Sequence, residues 1–121
     1  MIFKQVFDQK SSTYTYLIAS AEGREALIID PVLENVEDYI KLLNELNLRL
    51  VKVIDTHIHA DHVTGASKLK DLTKCSTIMG EHTPAEAVEI KVKDDEYIHL
   101  DNLKIRAMHT PGHTSDSFSF L

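Results

Sequence analysis

The sequence predicts a mixed α/β layer structure, and we expect residues 1–121 to form a single domain. Short apolar runs typical of strands occupy residues 1–30, and a segment with helical periodicity follows them. Apolar, strand-like runs resume near residue 50 and continue to the end of the chain. A chain of 121 residues is long enough for one modest hydrophobic core and too short for two domains.

Three apolar runs open the chain, at 2–7, 14–19 and 26–29, and short polar connections separate them. We interpret these runs as three strands of a meander. The pair Asp30-Pro31 ends the third strand, because proline lacks the backbone N–H that a ladder needs and restrains the residue before it.

The next segment has the periodicity of an amphipathic helix, and its predicted buried face consists of Val36, Ile40, Leu43 and Leu46. Asn35 is placed to cap the first turn of this helix. Residues 50–54 are then almost continuously apolar, which indicates a strand that is covered on both faces. The helix is therefore expected to cover one face of the sheet.

Shorter elements follow. The spacing of Ala66, Leu69 and Leu72 predicts a second helix, with a strand near 77–79 after it. A capping-box pattern with proline at 83–86 predicts a turn of helix. Apolar alternation at 103–108 and the apolar run at 118–121 each predict a strand. The strand at 103–108 leads directly to Pro111-Gly112-His113.

Composition argues against several classes of function. Thirteen basic and nineteen acidic residues give a net charge of -6, and the basic residues are scattered, so nucleic acid is not expected as a partner. No apolar stretch approaches the roughly 18 residues of a membrane helix, and residues 1–5 lack the pattern of a signal peptide. We therefore expect no membrane partner and a cytoplasmic location.

Cys75 is the only cysteine of the chain, so neither an intrachain disulfide nor a thiolate cluster for zinc can form. Any metal must be held by imidazole and carboxylate groups. We interpret Cys75 as a small buried hydrophobic residue.

The run Thr56-His57-Ile58-His59-Ala60-Asp61-His62 follows the predicted strand at 50–54. Alternate positions of an extended segment point to one side, so His57, His59 and Asp61 can converge on one metal ion. His62, adjacent to Asp61, must point elsewhere, either to a second metal or to the groups that surround the first. The run predicts a metal site beyond the carboxyl end of a strand, the usual position in open α/β sheets.

His113 is the residue that we expect to complete this site from elsewhere in the chain, because it follows a strand and is preceded by the conformationally permissive Gly112. The other histidines lack ligand-type neighbours, and we assign surface or structural roles to His82, His99 and His109. Two basic residues, Lys104 and Arg106, are compatible either with contact to an anionic substrate or with a position on a solvated strand face.

The run at 56–62, followed by Gly65 and later by Pro111-Gly112-His113-Thr114, resembles the signature of the metallo-β-lactamase superfamily. Within it, the segments 3–5, 14–17, 26–32 and 61–65 resemble the persulfide dioxygenases, also called sulfur dioxygenases, which are relatives of the glyoxalase II hydrolases. The resemblance extends from about residue 2 to residue 121. Ser115-Asp116-Ser117 departs from the proline and glycine that many relatives carry after Gly-His-Thr.

The resemblance implies an αββα sandwich in which two sheet-containing halves pack face to face. Residues 1–121 match the first half, so we expect one metallo-β-lactamase-like domain, truncated on its C-terminal side. Its sheet should be mixed and largely antiparallel, with flanking helices.

The resemblance also implies a ligand set. Persulfide dioxygenases hold one Fe(II) through two histidines, which correspond to His57 and His113, and through an aspartate of a later Gly-Asp motif that this chain does not reach. Two histidines and one carboxylate leave positions open for dioxygen and a substrate sulfur, which suits oxidation of glutathione persulfide to sulfite. His59 would lie beside the iron, while Asp61 and His62 would shape the pocket through hydrogen bonds.

Glyoxalase II-like relatives use the same residues to hold Zn(II), as one or two ions. There His57, His59 and His113 take the first ion, Asp61 and His62 contribute to the second, and a bridging hydroxide attacks a glutathione thioester. We favour the dioxygenase, because the opening strands and residues 29–32 look closer to that branch.

Two other interpretations are compatible with parts of the sequence. Residues 55–59 fit the first strand of an amidohydrolase barrel, but the adjoining Asp61-His62, the downstream Gly-His-Thr and a barrel length of about 250 residues argue against it. Alternatively, the chain is a catalytically incomplete metal-binding fragment that pairs with another chain. Such a half would expose an uncovered sheet face, which predicts self-association.

Overall fold

The computed structural model describes residues 2–10, 13–21, 24–55, 65–80, 90–92, 96–100, 103–109 and 118–120. In chain order, the elements are β1 (Ile2–Asp8), β2 (Thr13–Ala19), β3 (Glu25–Ile29), a 3-10 turn (Leu33–Asn35), α1 (Val36–Glu45), β4 (Arg49–Ile54), α2 (Ala66–Thr73), β5 (Ser76–Gly80), β6 (Ile90–Val92), β7 (Tyr97–Leu100), β8 (Leu103–His109) and β9 (Phe118–Phe120).

The described strands form two sheets. The first has six strands in the order β1-β2-β3-β4-β5-β6, and the second has three in the order β7-β8-β9. Strands β1, β2 and β3 pair antiparallel, as the predicted meander requires, whereas β3 to β6 pair parallel. The second sheet is antiparallel. The mixed sheet is confirmed, with α1 and α2 serving as the crossovers that parallel neighbours need.

The six-stranded sheet is covered on both faces. A first core lies between this sheet and the helices, and it includes Leu17, Ile28, Leu43, Val53 and Leu69. A second core lies between the two sheets, and it includes Leu27, Ile54, Ile78, Ile98 and Ile105. The ammonium group of Lys52 on β4 also donates to the carbonyl oxygen of His99 on β7. The described layers are therefore helix, sheet, sheet, in agreement with the predicted layer structure.

Helix α1 begins at the predicted residue, but its buried face differs from the predicted one. The buried residues are Val36, Tyr39 and Leu43, while Ile40 is only partly buried. The predicted cap by Asn35 is wrong, because Asn35 occupies the N-cap position without a side-chain capping bond. Its amide group instead donates to the carboxylate of Asp8 at 3.1 Å. A long-range contact thus replaced the local one.

Helix α2 and the later strands agree with the predicted order, with one error and two omissions. Leu72, assigned to the buried face of α2, is 57% exposed, and only Ala66 and Leu69 of that set are buried. Strands β6 and β7 were not predicted, because three and four residues are too few for a distinct period. The predicted helical turn at 83–86 lies outside the described residues.

Neither helix in the described part of the chain has the length and apolar character to cross a membrane. The longer of the two, α1, has 10 residues and a polar face.

The burial difference between two leucines predicts opposite outcomes for the same substitution. Leu27 is fully buried in the second core, so Leu27→Ala should reduce the free energy of unfolding by about 2–5 kcal/mol. Leu72→Ala, on the exposed face of α2, should change it by less than about 1 kcal/mol. Urea denaturation of both variants measures this, and equal losses would contradict the assignment of Leu72 to the surface.

Candidate metal site at the carboxyl edge of the parallel strands

Strands β3 and β4 end at one edge of the six-stranded sheet, and β5 and β6 extend beyond them at the same edge. Ile29 of β3 pairs with Ile54 of β4, Ile54 pairs with Ile78 of β5, and Ile78 pairs with Ile90 of β6. The predicted histidine run begins two residues after Ile54. It therefore continues from a central strand, beyond the carboxyl edge, where ligand sites of open α/β sheets lie.

The predicted ligands themselves fall outside the described residues. His57, His59, Asp61 and His62 belong to 56–64, and His113 belongs to 110–117. Over the described ranges, no group of three or more His, Cys, Asp or Glu residues comes together to hold a metal. The described structure thus gives the points where these segments are attached, and the ligand assignments stay predictions.

Both ends of the segment 56–64 are attached to the same turn. After β3, Asp30 has a left-handed backbone with φ of 55°, and its N–H donates to the carbonyl oxygen of Ile54 at 2.7 Å. The N–H of Gly65 donates to the carbonyl oxygen of Pro31 at 2.9 Å. Since Ile54 and Gly65 flank the histidine run, the turn at Asp30-Pro31 fixes how far apart its ends lie.

Gly65 is a glycine because of close packing and not because of its backbone angles. Its φ of -82° is open to any residue. A Cβ atom there would lie 2.8 Å from Cγ2 of Val36, 3.2 Å from the carbonyl oxygen of Val32 and 3.3 Å from Cβ of Pro31. The residue that follows the histidine segment is therefore packed tightly against the turn and the first residue of α1.

Asp55 is a further functional candidate, which was not predicted from the sequence. It is 9% exposed and lies between β4 and the histidine run, with its N–H donating to the carbonyl oxygen of Ile78 at 3.1 Å. Buried carboxyl groups need polar partners, and a carboxylate beside metal-ligating histidines can orient them. Its position between an apolar strand and a ligand-rich run was the available signal.

The segment that contains His113 is attached to the second sheet. His109 at the end of β8 pairs with Phe118 at the start of β9, so residues 110–117 connect two paired positions. The strand predicted at 103–108 is confirmed as β8, whereas His113 itself lies outside the described residues.

Several other predicted residues can be placed. His99 is exposed on β7, which agrees with a surface role. Lys104 is exposed and lies 5.1 Å from the ring centroid of Tyr97, an arrangement that favours the solvated strand face over a substrate contact. Cys75 is 3% exposed in the first core, as predicted. His82 and the side chains of Arg106 and His109 lie outside the described residues.

A cavity of about 410 Å³ opens at the opposite end of β4, and its lining includes Ile40, Leu43, Leu48, Arg49 and Leu72. The charged member of its lining, Arg49, is paired with Glu25 at 2.7 Å. Its apolar walls offer no metal ligands, so it is separate from the candidate metal site.

Comparison with known proteins identifies the class. The sequence profile of the metallo-β-lactamase superfamily matches residues 9–97, a range that includes the histidine run at 56–62. The chain belongs to this superfamily.

Within the superfamily, the chain is similar to persulfide dioxygenases and to hydroxyacylglutathione hydrolases. The bovine mitochondrial persulfide dioxygenase ETHE1 is 37% identical over 100% of this chain and 48% of its own length. The crystal structure of ETHE1 from Myxococcus xanthus superimposes with a TM-score of 0.94 at 41% identity, over 100% of this chain and 53% of that one. A probable hydroxyacylglutathione hydrolase from Schizosaccharomyces pombe is 38% identical over 88% of this chain and 42% of its own length.

The chain spans about half the length of the curated relatives that it matches. The matched half contains all five predicted ligands, His57, His59, Asp61, His62 and His113.

The packing of Gly65 predicts a destabilising alanine substitution. Overpacking against Val36 costs about 1–3 kcal/mol. This exceeds the gain of about 0.4–1 kcal/mol that alanine brings by restricting the unfolded chain. Gly65→Ala should therefore lower the free energy of unfolding by about 1 kcal/mol or more in thermal denaturation. Lys68→Ala, at an exposed position of α2, is the control. A Gly65→Ala variant as stable as the wild type, or more stable, would refute the close packing.

Proposed function

We propose that this chain is the metal-binding half of an Fe(II)-dependent persulfide dioxygenase, which oxidises glutathione persulfide to sulfite. The observation that carries the proposal is the match of the whole chain to persulfide dioxygenases, at 35–37% identity to three mammalian sequences. The structural superposition on ETHE1 from Myxococcus xanthus supports the same branch.

The donor set of the chain fits such a metal. Its nitrogen and carboxylate ligands suit Fe(II) or Zn(II), and the only cysteine is buried in the first core. In the proposal, His57 and His113 bind Fe(II), and one carboxylate comes from polypeptide that completes the domain. Bound Fe(II) supplies open coordination positions at which dioxygen and a persulfide sulfur can meet.

The proposed reaction balances without another reductant. The terminal sulfur of glutathione persulfide is oxidised, dioxygen is reduced, and water supplies the third oxygen atom of sulfite. The S–S bond breaks, and the departing glutathione sulfur leaves as a thiol that takes a proton. The proposed reaction therefore needs no nicotinamide or flavin as a source of electrons.

The remaining residues of the run support the ligands in this proposal. His59 would lie beside the bound ion, and Asp61 and His62 would hold the ligands and the pocket through hydrogen bonds. The buried Asp55 supports the same segment from the strand side. Such hydrogen bonds would restrict the orientation of the ligand rings.

The second candidate function is hydrolysis of a glutathione thioester with one or two Zn(II) ions. It is favoured by the 38% identity to the probable hydroxyacylglutathione hydrolase from Schizosaccharomyces pombe. In this case His57, His59 and His113 bind the first ion, and Asp61 and His62 contribute to the second. That match covers 88% of the chain, against 100% for the mammalian dioxygenases, so we favour the dioxygenase.

Activity of the complete protein distinguishes the two reactions. With Fe(II) loaded anaerobically, we expect oxygen uptake on addition of glutathione persulfide and little hydrolysis of lactoyl-glutathione. His57→Ala and His113→Ala should abolish both metal binding and oxygen uptake, because each removes a ligand.

His99→Ala is the matched control, because His99 is exposed on β7 and is expected to leave metal content and activity unchanged. Thioester hydrolysis without oxygen uptake would transfer the assignment to the hydrolase. Full metal content in both ligand variants would refute the site itself.

An exposed aromatic surface supports the predicted self-association. Phe3, Phe7 and Tyr14 are 54%, 47% and 49% exposed, and β1–β2 pairing places them on one face with Tyr16. Ring centroids lie 5.6 Å apart for Phe3 and Tyr16, and 4.7 Å apart for Phe7 and Tyr14. Tyr16 also packs against the second core, so this aromatic surface continues the interface between the sheets.

We propose a second copy of the chain as the occupant of this surface, joined face to face through β1 and β2. Phe7→Ser should shift the chain to monomer in sedimentation velocity at micromolar concentration, because it removes apolar area from the contact. Lys4→Ser, on the opposite face of β1, should not. A wild-type chain that is monomeric at every concentration contradicts the proposal. A complete protein that is monomeric contradicts it as well, and indicates that further polypeptide, not a second copy, covers this surface.

The cytoplasmic location stays a prediction. The mammalian relatives are named as mitochondrial proteins, so the compartment of this chain is best decided by fractionation of the source cells.

A further inference from the structure

A short series of buried hydrogen bonds surrounds the turn after β3. The hydroxyl of Thr15 donates to the carbonyl oxygen of Asp30 at 2.7 Å. The hydroxyl of Tyr39 lies 3.0 Å from that of Thr15, and it accepts the N–H of Val32 at 3.0 Å. Thr15 is 2% and Tyr39 4% exposed, so water does not compete for these bonds.

Only one arrangement of protons satisfies this series. The N–H of Val32 can only donate, and the carbonyl oxygen of Asp30 can only accept. Because the Thr15 proton is directed at Asp30, the Tyr39 proton must be directed at the Thr15 oxygen. Each hydroxyl therefore donates once and accepts once, which gives the series one direction and lets its bonds reinforce one another.

The series is attached to the two residues that flank the histidine segment. Asp30 donates to Ile54, which precedes the segment, and Pro31 accepts from Gly65, which follows it. Thr15 and Tyr39 hold the backbone on both sides of Pro31, at Asp30 and Val32. We call Thr15, Tyr39 and residues 30–32 the clamp.

We propose that Thr15 and Tyr39 are positioning residues for the metal site, acting through the clamp on the separation of Ile54 and Gly65. This inference rests on the proposed function, because its consequence is the geometry of ligands within residues 56–64. Neither side chain is a proposed metal ligand. Each acts on the site only through the backbone at 30–32.

The physical reason is the cost of an unsatisfied buried group. Without the Tyr39 hydroxyl, the N–H of Val32 loses its acceptor in a site closed to water. The turn can regain a partner only by shifting, and Pro31 carries Gly65 with it. Metal affinity is sensitive to small ligand displacements, so the shift weakens binding.

The test compares variants that remove one hydroxyl with a variant that conserves it. Tyr39→Phe and Thr15→Val remove a hydroxyl and keep the shape, while Thr15→Ser keeps the hydroxyl. Leu50→Val truncates the first core at the amino end of β4 and controls for general destabilisation. On the 121-residue chain, NMR measures exchange of the Gly65 amide without metal, and calorimetry measures the affinity for Zn²⁺.

We expect Tyr39→Phe and Thr15→Val to speed Gly65 exchange about tenfold beyond Leu50→Val and to weaken Zn²⁺ binding roughly tenfold. Thr15→Ser should retain wild-type values of both. Gly65 exchange and Zn²⁺ affinity equal to those of Leu50→Val would overturn the proposal. If the 121-residue chain binds no Zn²⁺, the affinity is measured on the complete protein, which supplies the remaining carboxylate. Absence of bound metal there refutes the metal site, whereas bound metal with equal affinity in Tyr39→Phe and Leu50→Val refutes the positioning role alone.

Discussion

The hydrogen bonds of the turn at Asp30-Pro31 are the constraint on which the candidate site depends. One residue of the turn accepts from Gly65 and the other donates to Ile54, so the two ends of the histidine segment share a single anchor. The left-handed backbone of Asp30 directs the chain away from β3, and the proline after it cannot continue the strand. A ligand-rich segment tied at both ends loses less conformational entropy when it binds a metal.

The layered architecture keeps this anchor rigid. Apolar residues fill both faces of the central strands, and Leu27, Ile28, Val53 and Ile54 alternate between the first and the second core. Within the sheet, the buried backbone N–H and C=O groups already pair with one another. Polar groups that could bind a ligand are therefore left to the edge where these strands end. The chain is similar both to dioxygenases and to hydrolases, so relatives with different named activities share this layered half.

Periodicity and turn chemistry were sufficient to predict the meander, both crossover helices and the strand before the histidine run. They failed where a long-range contact competed with a local one. Asn35 bonds to Asp8 instead of capping α1, and Tyr39 turns inward to reach Thr15. The candidate ligands could be proposed from the sequence because three histidines and an aspartate lie within one run. The clamp could not, because Thr15 and Tyr39 are separated by 24 residues in sequence.

Metal binding by the histidine run after β4 together with His113 is what distinguishes a metal centre from a merely histidine-rich segment. Titration of the isotope-labelled chain with Zn²⁺, followed by amide NMR, tests it most directly. We expect the largest chemical-shift changes within residues 55–65 and 109–118. Changes centred on His99 or on the acidic residues of α1, with those two segments unaffected, would contradict it.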